Sequence, residues 1–291
     1  MIDLDETTIT NAVLARVQAA PNPRVRQVSE ALVRHLHAFI REVEPTEAEW
    51  EWGIRFLTEV GHLCTQTRQE FILLSDTLGI SMLVDAINHR IPRGATQTTV
   101  MGPFYVLPPV FPNGADIKGN MRGSPMYISG TVSGFDAQPL SGATVDVWHS
   151  DSEGFYDLQK LEQHPDFSGR ARLQTDLQGR FQFWTTRPAP YPIPHDGPVG
   201  KMLKAQGRHP FRPEHIHFLI TAAGHRKLVT HIFAAGDEYL DSDVVFGVKQ
   251  SLIREYIRHC GGTSPDGRTV QGEWYSLDHD FRLASDRAAG T

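Results

Sequence analysis

The chain has 291 residues, 40% of them hydrophobic and 21% charged, with a formal net charge of −6 and a pI near 6.1. That is the make-up of an ordinary soluble globular protein long enough for two domains or one large one, and an acidic balance with no basic block excludes a nucleic-acid partner. There is no long apolar run and no leader-like start, and Cys64 and Cys260 stand far apart without C-x-x-C spacing. A membrane span, a secretory signal and a thiolate cage are therefore not expected, and the cytoplasm is the expected compartment.

The first ninety residues are helical in pattern. Val28, Leu32, Val33, Leu36, Phe39 and Ile40 recur at helical spacing and form one apolar stripe. Thr46 with Glu49 reads as a capping box opening a second helix through Trp50, Ile54, Leu57 and Val60. A third helix is predicted from Glu70 to Arg90; its breadth of apolar residues points to burial against another subunit or domain. The character changes near residue 91, where prolines 92, 103, 108, 109 and 112 break any helical pattern.

Short alternating or β-branched runs follow, over 127–133, 143–149, 172–175, 181–186, 215–221 and 228–233. Such spacing predicts a β-sandwich or barrel. Val248, Leu252, Ile253, Tyr256 and Ile257 predict one late helix. The fold class is thus α+β, with a helical domain over 1–100 and a mainly antiparallel β-sandwich over 101–291.

One step in the β-rich part bears directly on chemistry. In an extended strand, residues i and i+2 leave the same face, so His215 and His217 in Arg-Pro-Glu-His-Ile-His-Phe can converge on one point. Two imidazoles do not complete a metal site. The nearby carboxylates, Glu214 and Asp237, look like surface and turn residues. Tyr156 in Ser-Glu-Gly-Phe-Tyr-Asp and Tyr191 between Pro190 and Pro192 are the more unusual oxygen donors. Two phenolates and two neutral imidazoles on Fe(III) leave one positive charge, which suits an ortho-diphenol chelating as a dianion. A zinc hydrolase built on His215 and His217 stays open, but it would need a third ligand and a general base. A non-enzymatic β-sandwich binding module with a dimerising helical arm also stays open.

The sequence resembles the intradiol ring-cleaving dioxygenases. The likeness is carried by Gly102-Pro103-Phe104-Tyr105, Asp151 to Asp157, Tyr191-Pro192-Ile193-Pro194, Asp196 to Gly200, and Arg212-Pro213 before His215-Ile216-His217-Phe218. Within that family, Leu73 to Gly79 and Tyr239 to Asp243 resemble the branch that cleaves hydroxyquinol (1,2,4-trihydroxybenzene); catechol and chlorocatechol cleavage are the alternatives. The resemblance implies non-haem Fe(III) held by Tyr156, Tyr191, His215 and His217, with Tyr191 and His217 axial. It implies that substrate displaces Tyr191 and that Arg212 stabilises a carbanion-like ring. Leu73, Asp76, Val100, Met101, Gly102, Pro103, Phe104, Ile193, Pro194 and Val245 would line the substrate pocket, and His231 would stand where catechol-cleaving relatives carry glutamine. Asp76 would accept a hydrogen bond from a third ring hydroxyl, or else cap the helix that follows it. Glu214 replaces a common alanine, and His149 a frequent glutamine. Implied partners are the aromatic diol or triol, O2 and a second copy in a homodimer, with a phospholipid held at the dimer interface.

Overall fold

A computed structural model describes residues 2–65, 68–160 and 167–286. By internal contacts the chain divides into two units, Met1–Glu59 and Val60–Thr291. The first contains α1 (Ile9–Val17), α2 (Pro23–Val43) and most of α3 (Glu47–His62). Local chemistry sets their ends. The Asn22 side chain accepts from the N–H groups of Arg24 and Val25 at 2.9 and 3.1 Å, with Pro23 at the first helical position. The capping box forms as predicted: Glu49 accepts from the Thr46 N–H at 2.8 Å, and the Thr46 hydroxyl accepts from the Glu49 N–H. The apolar stripe of α2 is exposed. Val28, Leu32, Leu36, Phe39 and Ile40 are 44–57% accessible, and no residue of that helix is buried.

In the second unit the predicted third helix is two, α4 (Glu70–Thr77) and α5 (Ile80–Asn88). Gly79 between them lies at φ +72, a left-handed position that ends the first helix and that a glycine adopts freely. Among the described residues, twelve strands and one α-helix follow: β1 (Pro125–Gly134), β2 (Thr144–His149), β3 (Arg170–Gln174), β4 (Arg180–Thr186), β5 (Tyr191–Pro192), α6 (Pro198–Ala205), β6 (Phe211–Arg212), β7 (His215–Thr221), β8 (Leu228–Ala234), β9 (Ile253–Arg254), β10 (Ile257–Thr263), β11 (Thr269–Asp278) and β12 (Phe281–Leu283).

One sheet has the order β10-β11-β1-β12 with β4 also on β1; the other has the order β3-β2-β7-β8-β9; β5 and β6 form a ribbon. Pairing is mostly antiparallel, as the sequence suggested, but β1 runs parallel to both β11 and β12, and β8 parallel to β9. The core lies between the sheets, where Ile128, Phe181, Phe183 and Phe281 share one cluster with Val145, Val147, Phe218, Ile220 and Ile232. No described helix is long and apolar enough to cross a membrane.

The predicted late helix is a correction. Residues 250–252 form a single 3-10 turn and the chain then extends as β9 and β10. Leu252 and Tyr256 are buried at helical spacing, yet Ile253 and Arg254 pair with β8, and the Tyr256 hydroxyl donates to the Ile232 carbonyl at 2.9 Å. Sheet pairing satisfied this backbone better than a helix could, and a short apolar run does not distinguish the two.

Candidate metal centre and its pocket

Strand β7 alternates in chemistry but not in burial. Ile216, Phe218 and Ile220 join the core between the sheets, so His215 and His217 leave the opposite face, where each is 1% exposed. Across the sheet His217 stands opposite Trp148 on β2 and His231 on β8. The indole stacks on its ring at 4.6 Å, and the His231 ring meets it edge-on at 4.1 Å.

Tyr156 opens a one-turn 3-10 helix, Asp157–Gln159, and is fixed on several sides. Gln159 accepts its N–H at 2.8 Å, and Phe104 stacks on its ring at 4.4 Å. The buried Arg170–Asp157 pair ties these together, because Arg170 also donates to the Phe104 carbonyl at 3.1 Å. Tyr191 sits in the β5–β6 ribbon directly opposite Arg212. Gly154, at φ +85, lets the backbone pass here; a Cβ at that position would lie 2.6 Å from the Cβ of Tyr191.

The four side chains meet at their heteroatoms. Tyr156 Oη lies 2.9 Å from His217 Nε2, 3.3 Å from Tyr191 Oη and 3.5 Å from His215 Nε2, and the two Nε2 atoms are 3.1 Å apart. A carbonyl only accepts, so His215 Nδ1 carries the proton it donates to the Pro213 carbonyl at 2.7 Å, which leaves the Nε2 lone pair facing the cluster. Burial pushes the Tyr156 phenol well above its ordinary range, with Tyr191 adding to it, and raises Tyr191 as well. Burial, aided by Arg212 and the neighbouring imidazoles, holds His215 and His217 well below theirs. Neutral imidazole lone pairs and oxygens that ionise only beside a strong positive charge make a donor set fitted to a multivalent cation.

The third ligand that a zinc site would need, for which the sequence offered no clear candidate, has a counterpart in space: His231 lies with His215 and His217 in a group whose ligand atoms are within 4.8 Å of one another. Its Nδ1, however, faces Arg212 Nη2 at 3.4 Å, so a fixed cation already occupies that side.

Arg212 is 3% exposed and borders the cluster, with Nη1 3.2 Å from His215 Nε2. Burial pulls its guanidinium down, but Asp243 and the two tyrosines more than offset this, and it stays charged. Leu73 and Asp76 share one face of α4, and with Val100, Gly102, Pro103, Phe104, Tyr191, Ile193, Pro194, Arg212 and Val245 they enclose a cavity of about 10 Å³. Met101 and His231 are not in its lining. A neighbouring cavity of about 140 Å³ shares Leu73, Pro103, Phe104 and Pro194 with it. A larger hollow of about 770 Å³ shares none of these residues and holds no comparable donor cluster, so size does not locate the site. Gly102, at φ +73, brings the pocket wall against His217; a Cβ there would lie 3.3 Å from its ring.

Asp76 is 3% exposed, and burial raises its carboxyl against the lowering effect of Ser81 and Arg212. It is not a cap: the residue at the start of α5 is Gly79. Glu214 is a second correction. It is 4% exposed rather than at the surface, paired with Arg187 at 2.7 and 2.8 Å, while its N–H donates to the Asp237 turn at 2.9 Å. Trp148, Asp157, Arg170 and Asp243 support the site and were not singled out by sequence. Asp157 and Asp243 had a signal, their places in the Asp151–Asp157 and Tyr239–Asp243 stretches.

Comparison with known proteins agrees with this geometry. The family profile described as "Dioxygenase" matches residues 111–283, and that described as "Catechol dioxygenase N terminus" matches residues 22–96. A hydroxyquinol 1,2-dioxygenase of Nocardioides simplex is 49% identical over 96% of this chain and 95% of its own length. A 6-chlorohydroxyquinol 1,2-dioxygenase of Cupriavidus pinatubonensis is 48% identical over 97% and 99%. The crystal structure of hydroxyquinol 1,2-dioxygenase from Pseudomonas putida superposes with a TM-score of 0.87 at 46% identity, covering 97% of this chain and 99% of that one. The chain belongs to the intradiol ring-cleavage dioxygenases, an enzyme family that uses non-haem iron. Ring cleavage, rather than zinc hydrolysis or ligand binding alone, is therefore its activity class.

Proposed function

We propose that this enzyme cleaves hydroxyquinol with O2 between its adjacent hydroxyls, giving 3-hydroxy-cis,cis-muconate, the enol form of maleylacetate, with both oxygen atoms retained in the product. The observation that carries the reading is one buried cluster of two phenol oxygens and two imidazole nitrogens, 2.9–3.5 Å apart, beside a cavity that also contains a buried carboxyl. Tyr156, Tyr191, His215 and His217 would hold Fe(III). When bound, ferric iron supplies Lewis-acid charge and a template for an ortho-diphenolate.

The remaining work falls to the chain. Tyr191, held in regular sheet only through the two-residue β5, is the least constrained of the four side chains, and its phenol oxygen would take up a proton from a ring hydroxyl. Arg212 faces the same cavity and opposes the negative charge that builds on the ring during attack by O2. Phe104, Ile193, Pro194 and Val245 exclude water and hold the ring flat. Asp76 accepts a hydrogen bond from the third hydroxyl, and this distinguishes hydroxyquinol from catechol. Val100, Gly102 and Pro103 complete the wall, and Met101 and His231 act from behind it. The helical part to about residue 100 would form the interface of a cytoplasmic homodimer through the exposed stripe of α2, with an apolar groove able to hold a phospholipid.

The test is direct. Purified enzyme should be wine-red from tyrosinate-to-iron charge transfer and contain iron rather than zinc by elemental analysis. Its kcat/KM should be higher for hydroxyquinol than for catechol or chlorocatechols. A folded, colourless, iron-free protein would overturn the reading; preference for catechol would overturn the substrate alone.

A further inference from the structure

Arg212 reaches the cavity from a two-residue strand, and a long side chain on so short an element is not oriented by its backbone. Its direction is set from the loop between β8 and β9. Asp243, 5% exposed, receives Arg212 Nε at 3.1 Å on one oxygen and Nη2 at 3.3 Å on the other. The same carboxylate collects the N–H of Gly247 at 2.9 Å and that of Val245 at 3.4 Å. Arg212 and the loop that supplies Val245 to the cavity wall therefore hang on one group. The loop is held tightly enough to keep Phe246, a non-glycine residue, at φ +59, and Gly247 passes so close that a Cβ would lie 3.1 Å from Arg212 Nη2 and 3.2 Å from Asp243 Oδ2.

We propose that Asp243 is the positioning residue of this active site, aiming the Arg212 guanidinium at the ring and fixing the Val245 wall with the same carboxylate. Asp243 does not line the cavity, and its hydrogen bonds go to Arg212 and the loop rather than to the four cluster residues, so it positions through those two. Two consequences follow from the geometry. An amide in its place keeps the shape but offers only one acceptor oxygen, so it cannot hold Nε and Nη2 together on two oxygens. A glutamate keeps the charge but moves it by one methylene, so part of the function returns.

This inference rests on the proposed reaction, and the experiment separates the two. In iron-loaded enzyme, Asp243→Asn should lower kcat for hydroxyquinol about 10- to 100-fold while iron content and the visible band stay at the wild-type level. Asp243→Glu should recover part of that loss. Binding of 4-nitrocatechol, read from its own absorption, should weaken in Asp243→Asn independently of turnover. The deciding comparison is Arg212→Gln against Arg212→Gln/Asp243→Asn. With the guanidinium to be positioned gone, the second change should cost clearly less than the roughly 10- to 100-fold it costs in the wild-type background, leaving only the share that comes from the Val245 wall. The double variant removes both buried charges at once, so it folds even where Asp243→Asn alone does not. Wild-type kcat in Asp243→Asn, or a full additive loss in the double variant, would overturn the proposal. A colourless wild-type enzyme would instead overturn the underlying reaction.

Discussion

The helical first unit and the β-sandwich invert each other. On α2 large apolar side chains lie in the open, Leu32 57% exposed and Phe39 55%, whereas around the sandwich site Arg212, Asp243, Asp76, His215 and His217 are almost entirely withdrawn from water. Each is unfavourable in isolation, apolar area in water on one side and polar or charged groups out of water on the other. The lesson is that stability alone shaped neither surface. An exposed apolar stripe is suited to covering by a partner surface, and the buried polar groups gather around the donor cluster.

The comparison breaks most severely at the cluster. Removal of His217, as His217→Ala, or stripping of the metal with a chelator should abolish measurable ring cleavage and the red colour; retained colour in His217→Ala would remove it from the ligand set. Tyr191→Phe should lose much of both, at least about 100-fold in kcat. Next, Arg212→Gln should cost about 100-fold in kcat and also lower the melting temperature, because it leaves Asp243 buried without its partner. Asp76→Asn should reduce kcat/KM for hydroxyquinol about tenfold while changing catechol turnover little, the discrimination expected of one hydrogen bond to a charged or buried acceptor. An equal fall for both substrates would assign Asp76 to structure instead.

On the exposed side, Leu32→Glu with Leu36→Glu should convert a dimer to a monomer by light scattering without bleaching the iron band; an unchanged mass would show that the stripe meets something else. The smallest effect is in pH. Burial lowers both His149 and His279 from 6.5 to about 4. Unfolding lets them take up protons, so their contribution to stability is complete above about pH 6.5 and is lost as pH falls towards 4. Chemical denaturation across that window should show the decline, and His279→Gln should flatten part of it.

Much of this was legible because local chemistry and tertiary structure agreed. The 215–221 strand, the Thr46 capping box and the pairing of His215 with His217 need only the period of a strand and the geometry of a helix start. Their settings singled out Tyr156 and Tyr191 as oxygen donors, and the family likeness joined them to the histidine pair, which spacing could not, since they lie 61 and 26 positions before His217. The C-terminal strands were not legible: β10 is mostly exposed at a sheet edge, with a bulge between Cys260 and Gly262, so no apolar alternation marks it.

The sequence by itself determined the α+β order, the strand face that carries His215 and His217, and the phenols and imidazoles proposed to hold iron. Periodicity and side-chain chemistry are local properties, and they survive in a linear string. Only the tertiary structure decided that Glu214 is buried beside Arg187, that Asp76 faces the cavity instead of capping a helix, and that Asp243 grips Arg212 across 31 positions of chain. Those facts depend on which loop folds over which sheet face. Burial then sets the charge state and direction of each group, and neither is written at any single position.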